Sequence, residues 1–346
     1  MQKLTLNSAA LWNAQQTFFE YMADTGRSHL AEQVRARFTP VEMRDNLRLP
    51  ISCLVHDAEL MRTVAKEPHL TLQLVERNKA ILLPLFSALR SWQSCTGLAK
   101  NEMPIPLCLF IQLCARFWGL NNQIAQFKTV RAKGCIEVSI EPSDPSCFNS
   151  TIAEGIASGM VKAVSDYLQV LPKSIAFSHE QPANFSEGEY IKILGVAPKF
   201  SQHGITICFE DEDHDFELTE PVISMLSHLN SMHTMQLPDV GIIQRTLWVM
   251  ELLLPITEPT KLVVSQILNI SVSTLDRRVS NEGTSFKFVL LQLKKQLAVE
   301  YLVKFNKSAS KTSYLLGYSS TSQFFKAFKK WFGQTPNQFK ASTVTS

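Results

Sequence analysis

The spacing of apolar residues changes twice along this chain. Apolar positions recur at steps of three and four over residues 9–22, 56–64, 70–92 and 107–117, which predicts helices through roughly the first 130 residues. From Gly134 the period drops to two. Residues 135–140, 174–177 and 205–209 alternate and read as strands. Between the first two, residues 152–171 return to helical spacing with Ile156, Met160, Ala163 and Tyr167 inward, so a small α+β unit is expected. Residues 220–233 read as a helix, Leu237-Pro238-Asp239 as a linker, and residues 240–254 as a helix opening a last domain.

That last domain contains a repeat. Val264 begins V-S-Q-I-L-N-I-S-V-S-T-L-D-R-R-V, and about fifty residues on the chain reads T-S-Y-L-L-G-Y-S-S-T-S-Q-F-F-K-A-F. Ser271, Leu275, Arg277 and Val279 recur as Ser320, Phe324, Lys326 and Phe328. Each copy is a short helix, a sharp turn and a second helix, the layout of a helix-turn-helix whose second helix enters a DNA major groove. Asn269 and Gly317 stand where the first helix must stop in a left-handed residue. Ser271 and Ser319 or Ser320 supply hydroxyls that cap the next helix. Leu275 and Val279, or Phe324 and Phe328, fall four apart and face inward, while Arg277 and Lys326 lie off that stripe. Between the copies, Ser285 caps a helix running to about Lys304, with Phe286, Leu290, Leu293, Leu297 and Tyr301 on one face. Twenty helical residues span roughly 30 Å, close to the ~34 Å between successive major-groove faces.

Charge sharpens this picture. Residues 261–340 hold 13 Lys/Arg and 3 Asp/Glu, a net of +10; the whole chain nets +3, so the remainder nets −7. A basic block joined to an acidic one is the electrostatic footprint of phosphate binding. Asp276 is the exception, because it repels phosphate; it either accepts from a cytosine amino group or points away.

Residues 262–340 resemble the DNA-binding domain of the AraC/XylS family of transcription regulators. The resemblance rests on Leu316-Gly317-Tyr318-Ser319-Ser320 through Phe324, Lys326 and Phe328, then Phe332-Gly333 and Thr335-Pro336-Asn337-Gln338-Phe339. Glu282-Gly283-Thr284-Ser285-Phe286 and Leu297-Ala298 with Tyr301-Leu302 match the family's linker helix. Thr335 caps and Pro336 opens a closing helix. The chain departs from the pattern at Thr312-Ser313, where the family carries Ile-Ala, and at Ser265; hydroxyls on a packed face need a backbone partner. Gly195, Phe200, Ile207 and Phe209 fit a segment of the N-terminal effector domain of longer family members, with Pro198 displaced by one.

The expected fold is therefore multidomain: an α+β effector-type domain over residues 1–235, then an all-α domain over 238–346 with helix-turn-helix motifs at about 260–282 and 308–332 joined by a linker helix. The residues expected on DNA are Ser273, Thr274, Asp276 and Arg277 in the first copy. In the second they are Ser320, Thr321, Ser322, Gln323, Phe325, Lys326, Lys329 and Lys330. Phe325 follows inward-facing Phe324 and cannot share its direction, so it is expected against a thymine methyl, with packing beside Phe339 as the alternative. The resemblance implies a promoter site on double-stranded DNA, RNA polymerase as a partner, activation of transcription, and an N-terminal domain that binds a small effector or forms a homodimer. A cavity of roughly 300 Å³ or more in residues 1–235 favours an effector; a solid interior favours a partner protein.

Other chemistry is not indicated, and no cofactor is expected. The chain has no G-x-S-x-G, Gly-rich phosphate loop or H-E-x-x-H, so it does not read as an enzyme; a fused enzyme is the remaining alternative. The acidic run Glu210-Asp211-Glu212-Asp213-His214-Asp215 lacks calcium-loop spacing and reads as a solvated loop rather than a metal site. Seven cysteines without a C-x-x-C, and no leader pattern, point to a reducing, cytoplasmic setting, with Cys108 and Cys114 in the core. Residues 104–120 are the most apolar stretch but too short for a bilayer, so no membrane partner is expected.

Overall fold

The computed structural model describes residues 4–42, 47–67, 69–78, 82–97, 105–132, 134–183, 186–211, 218–236 and 239–344. The chain forms two compact units. The first comprises Met1–Ser87, Phe110–Val130 and Gly134–Glu212; the second comprises Ala88–Leu109, Arg131–Lys133 and Asp213–Ser346.

The elements follow the predicted change of period. Helices α1 (Ser8–Asp24), α2 (Ser28–Val34), α3 (Ile51–Ala65), α4 (Leu70–Arg77), α5 (Leu83–Thr96) and α6 (Leu107–Asn121) come first, with the short strands β1 (Thr5–Asn7) and β2 (Arg48–Pro50) among them. The helix expected over residues 70–92 is two helices. Asn78 leaves the helical region with ψ 103°, Leu82 is left-handed at φ 51°, and Pro84 sits in the first turn of α5. Proline donates no backbone hydrogen bond and is at home in a helix's first turn, so Pro84 suits the start of a second helix while the apolar period continues.

Strands β3 (Ala125–Ala132), β4 (Cys135–Pro142), β5 (Ser174–Ala176) and β6 (Ile205–Glu210) make a sheet of order β3-β4-β6-β5. Ile136 faces Phe209, Val138 faces Ile207 and Ile140 faces Ile205 in an antiparallel register, and Ile175 joins Ile207 from β5. All are buried, so the period of two marks the inner face. Alternation misses β3, an edge strand whose Phe127, Lys128 and Thr129 are all half-buried. Helix α7 (Ser150–Leu168) packs on β6, with Ile156, Met160, Ala163 and Val164 buried. Tyr167, expected inward, is half-buried and stacks on Phe110 at 4.6 Å. Helix α8 (Glu187–Leu194) completes the unit. A second core holds Phe18, Met22, Phe38, Leu60, Met61 and Leu70.

The second unit is helical through α9 (Glu220–Gln236), α10 (Ile242–Leu253), α11 (Lys261–Ile267), α12 (Val272–Asn281), α13 (Phe286–Val299), α14 (Ala309–Leu315), α15 (Thr321–Phe332) and α16 (Pro336–Val344). The architecture is thus an α+β region followed by an all-helical one. Helix α9 belongs to this unit and packs on α11. The expected linker at Leu237-Pro238 lies outside the described residues, as do Glu212, Asp213, His214 and Asp215 of the acidic run. Helix α13 continues into one π-helical turn, Glu300–Lys304. Its buried stripe is Phe286, Val289, Leu293, Ala298, Tyr301 and Leu302; Leu290 and Leu297, expected inward, are half-buried.

Among the described residues no helix is long and apolar enough to cross a membrane. Cys108 and Cys114 are buried. Cys135 and Cys208 lie together on the outer face of the sheet, 73 residues apart in sequence and diagonal in register. Burial, then the neighbouring Cys135, pushes the Cys208 thiol up to about 11, so it stays protonated and unreactive near neutral pH.

Candidate nucleic-acid interface

The first copy of the repeat is built as its residues dictate. Thr260 caps α11 by accepting from the Val263 amide. Asn269 takes φ 55° and ends the helix, and the Ile270 amide donates to the Ser265 carbonyl at 3.0 Å. Ser271 then caps α12, accepting from the Thr274 amide at 3.1 Å. Leu275 and Val279 are fully buried. On the opposite side Ser273 and Arg277 are exposed and Thr274 is half-buried. Asp276 is held within the domain: Lys261 Nζ lies 2.7 Å from its carboxylate.

The second copy follows the same plan. Gly317 takes φ 72°, and the Tyr318 amide donates to the Ser313 carbonyl at 3.1 Å. Ser320, not Ser319, caps α15 through the Gln323 amide at 3.3 Å; the Ser319 hydroxyl donates to Gln323 Oε1 at 2.8 Å. The hydroxyls that depart from the family pattern are all satisfied. Thr312 Oγ1 donates to the Ser308 carbonyl at 3.0 Å and Ser265 Oγ to Leu262 at 2.8 Å. Ser313 Oγ reaches across the turn to the Ser320 carbonyl at 3.2 Å and ties α14 to the start of α15. What an apolar pair would supply by packing, this copy supplies by hydrogen bonds.

Helix α15 has two unlike sides. Phe324 and Phe328 are fully buried, and Phe328 and Phe332 meet Phe339 of α16 at 5.4 and 5.1 Å. Tyr318 lies against Phe324 with Lys294 Nζ 5.2 Å over its ring; burial, then Glu258, pushes its phenol up to about 12. Ser320, Ser322, Gln323, Lys326, Lys329 and Lys330 are exposed on the other side, with Thr321 half-buried. Phe325 is half-exposed, and its ring meets only that of Phe324, at 6.3 Å, among the described residues. Among the described residues the ring contacts to Phe339 come from Phe328 and Phe332. None of Arg277, Lys326, Lys329 and Lys330 is held in an ion pair among the described residues.

The first unit contains a cavity of about 730 Å³, walled by α1, α3, α4, α6 and α7. Leu54, Met61, Leu74, Val75, Trp118 and Ile152 give it an apolar lining. Glu154 of α7 stands in this wall and is buried. Gly155 beside it lets α7 approach α4 closely, since a Cβ there would lie 2.7 Å from Thr71 Cγ2. The apolar period of α7 conceals this site. One signal was present in the sequence: an acid beside a glycine within an otherwise apolar helix.

Comparison with known proteins bears on the second unit. Residues 264–342 match the helix-turn-helix domain family. The chain is 28% identical to the ornithine utilization regulator of Pseudomonas aeruginosa over 172 residues, 48% of this chain and 49% of that protein. It is 35% identical to the porin thermoregulatory protein EnvY of Escherichia coli over 79 residues, 23% of this chain and 31% of that protein. It is 34% identical to the transcriptional activator CfaD of Escherichia coli over 77 residues, 22% of this chain and 29% of that protein. The matches thus span about half the length of the first relative and under a third of the others. The solved structure of the transcriptional regulator CdpR from Pseudomonas aeruginosa aligns over 94% of this chain and 97% of its own, with 18% identity and a TM-score of 0.37, too low to bear on the fold.

Proposed function

We propose, from a C-terminal segment that is an AraC-type helix-turn-helix domain, that this protein is a sequence-specific DNA-binding transcription regulator. The observation that carries the reading is the pair of like-built helices, α12 and α15. Each is capped by a serine, anchored by two fully buried side chains, and presents exposed cations away from its core. On this reading the base edges are met by Ser273, Thr274 and Arg277 from α12. Thr321, Ser322, Gln323, Phe325 and Lys326 do the same from α15, while Ser320, Lys329 and Lys330 serve the phosphates. Asp276 acts through Lys261, which it positions.

Residues 238–346 are assigned to DNA and residues 1–235 to control, the protein acting in the cytoplasm with RNA polymerase as its partner. Activation is the favoured sign, supported by CfaD, an activator by name. The cavity of about 730 Å³ supports a small effector over a partner protein, being well above the roughly 300 Å³ that a ligand requires. Selection of bound genomic fragments by the full chain, followed by footprinting, tests the DNA reading. Two protected major-groove segments about one helical turn apart are expected. Protection that does not depend on sequence would overturn it.

A further inference from the structure

Of the buried carboxylates in the first unit, Asp57 and Glu154 are treated differently. Asp57 is satisfied on both oxygens: Oδ1 accepts from the Thr39 amide at 3.0 Å and hydroxyl at 2.9 Å, and Oδ2 accepts from Gln15 Nε2 at 2.6 Å. It is a structural tie. Glu154 is satisfied on one. Its Oε1 accepts from Tyr190 Oη at 2.9 Å and from His179 Nε2 at 3.0 Å. Its Oε2 takes no hydrogen bond from the described residues, and the side chain belongs to the wall of the 730 Å³ cavity.

His179 and Tyr190 both engage the same oxygen, Oε1. His179 Nδ1 is buried with no hydrogen-bond partner among the described residues, and its ring lies against those of Phe177 and Phe200. Burial, then the charge of Glu154, raises the Tyr190 phenol far above the usual range, so it serves as a donor. Both groups orient the carboxylate through Oε1. The other charged residues of the wall are Arg62, Lys66 and Glu67. Arg62 and Lys66 are exposed, Arg62 is paired with Glu59, and Glu67 is paired with Arg27. A cavity walled by apolar and neutral polar side chains, with one buried, half-satisfied carboxylate, selects for a positive charge carried on a largely apolar body.

We propose that Glu154 is the charge-reading group of the effector cavity and that the effector is an organic cation, an ammonium or amidinium on an aliphatic or aromatic frame. The inference rests on the cavity being the effector site. The test is a titration of the full chain by calorimetry with three probes of equal length: octylamine, octan-1-ol and octanoate. The amine binds about tenfold or more tighter than the alcohol, and octanoate binds weakest. Glu154→Gln removes the preference for the amine while the alcohol still binds. Ala58 of α3 also lines the cavity; Ala58→Phe puts a ring into it, leaves Glu154 intact, and weakens binding of all three. Equal affinity for amine and alcohol, or tighter binding of octanoate, overturns the assignment of charge but leaves the cavity as a ligand site. Binding of all three that is indifferent to Ala58→Phe overturns both.

Discussion

At the residue scale, Phe325 carries the most specific expectation. It cannot turn inward beside Phe324, and among the described residues the ring contacts to Phe339 come from Phe328 and Phe332. Phe325→Ser is expected to erase the preference for one base pair, worth about 1–3 kcal/mol, without lowering the melting temperature. Competition gel shifts over a set of single-base operator variants, with a thermal melt of each protein, measure both; a large fall in melting temperature with unchanged preference would sink the reading role. Cysteine chemistry belongs to the same scale. Cys95 is exposed, whereas burial raises the thiols of Cys114 and Cys208. Timed alkylation at pH 8 with mass spectrometry is expected to label Cys95 first and Cys114 last. Rapid labelling of Cys208 would contradict the protonated thiol described for it.

Among elements, the joints of the two helix-turn-helix copies differ in kind. The first turns on Asn269 and is bridged by the Lys261–Asp276 ion pair, whereas the second turns on Gly317 and is tied by a neutral hydrogen bond from Ser313 to the Ser320 carbonyl. Ser313→Ala removes one of the two donors on that carbonyl, the Phe324 amide remaining, and should cost the second unit about 1 kcal/mol, read from thermal or urea unfolding. Unchanged stability would mean that the tie is idle. The outer side of α15 is a separate matter. Replacing Lys326, Lys329 and Lys330 together with Ala is expected to weaken binding to all sequences alike. The slope of log affinity against log salt should fall by about one unit for each lysine on a phosphate. Intact affinity at physiological salt would place this helix off the DNA.

For the whole molecule, regulation requires that the state of the first unit alter what the second does on DNA. A ligand can shift that equilibrium only by its differential affinity for the two states. Ala58→Phe is expected to leave unliganded DNA affinity unchanged and to abolish the response of a promoter reporter to effector. Loss of unliganded DNA binding in that variant would instead show that the cavity supports the fold.

The sequence by itself determined the DNA-reading half. Helix-turn-helix residues interact within fifty positions, so period, caps and turn residues suffice: Ser271, Asn269, Gly317, Leu275 and Phe324 all stand where their chemistry demands. The start of α5 was also written there, in Pro84, but the apolar period runs on from α4. Only the tertiary structure decided three things. It paired Lys261 with Asp276, it put Cys135 beside Cys208, and it brought Tyr190 and His179 onto Glu154 from 36 and 25 residues away. Periodicity reports which face of an element is buried and carries no information about which other element covers it. A buried carboxylate looks the same in a sequence whether both its oxygens are satisfied or one is left for a ligand. That distinction exists only where chain segments far apart in sequence meet.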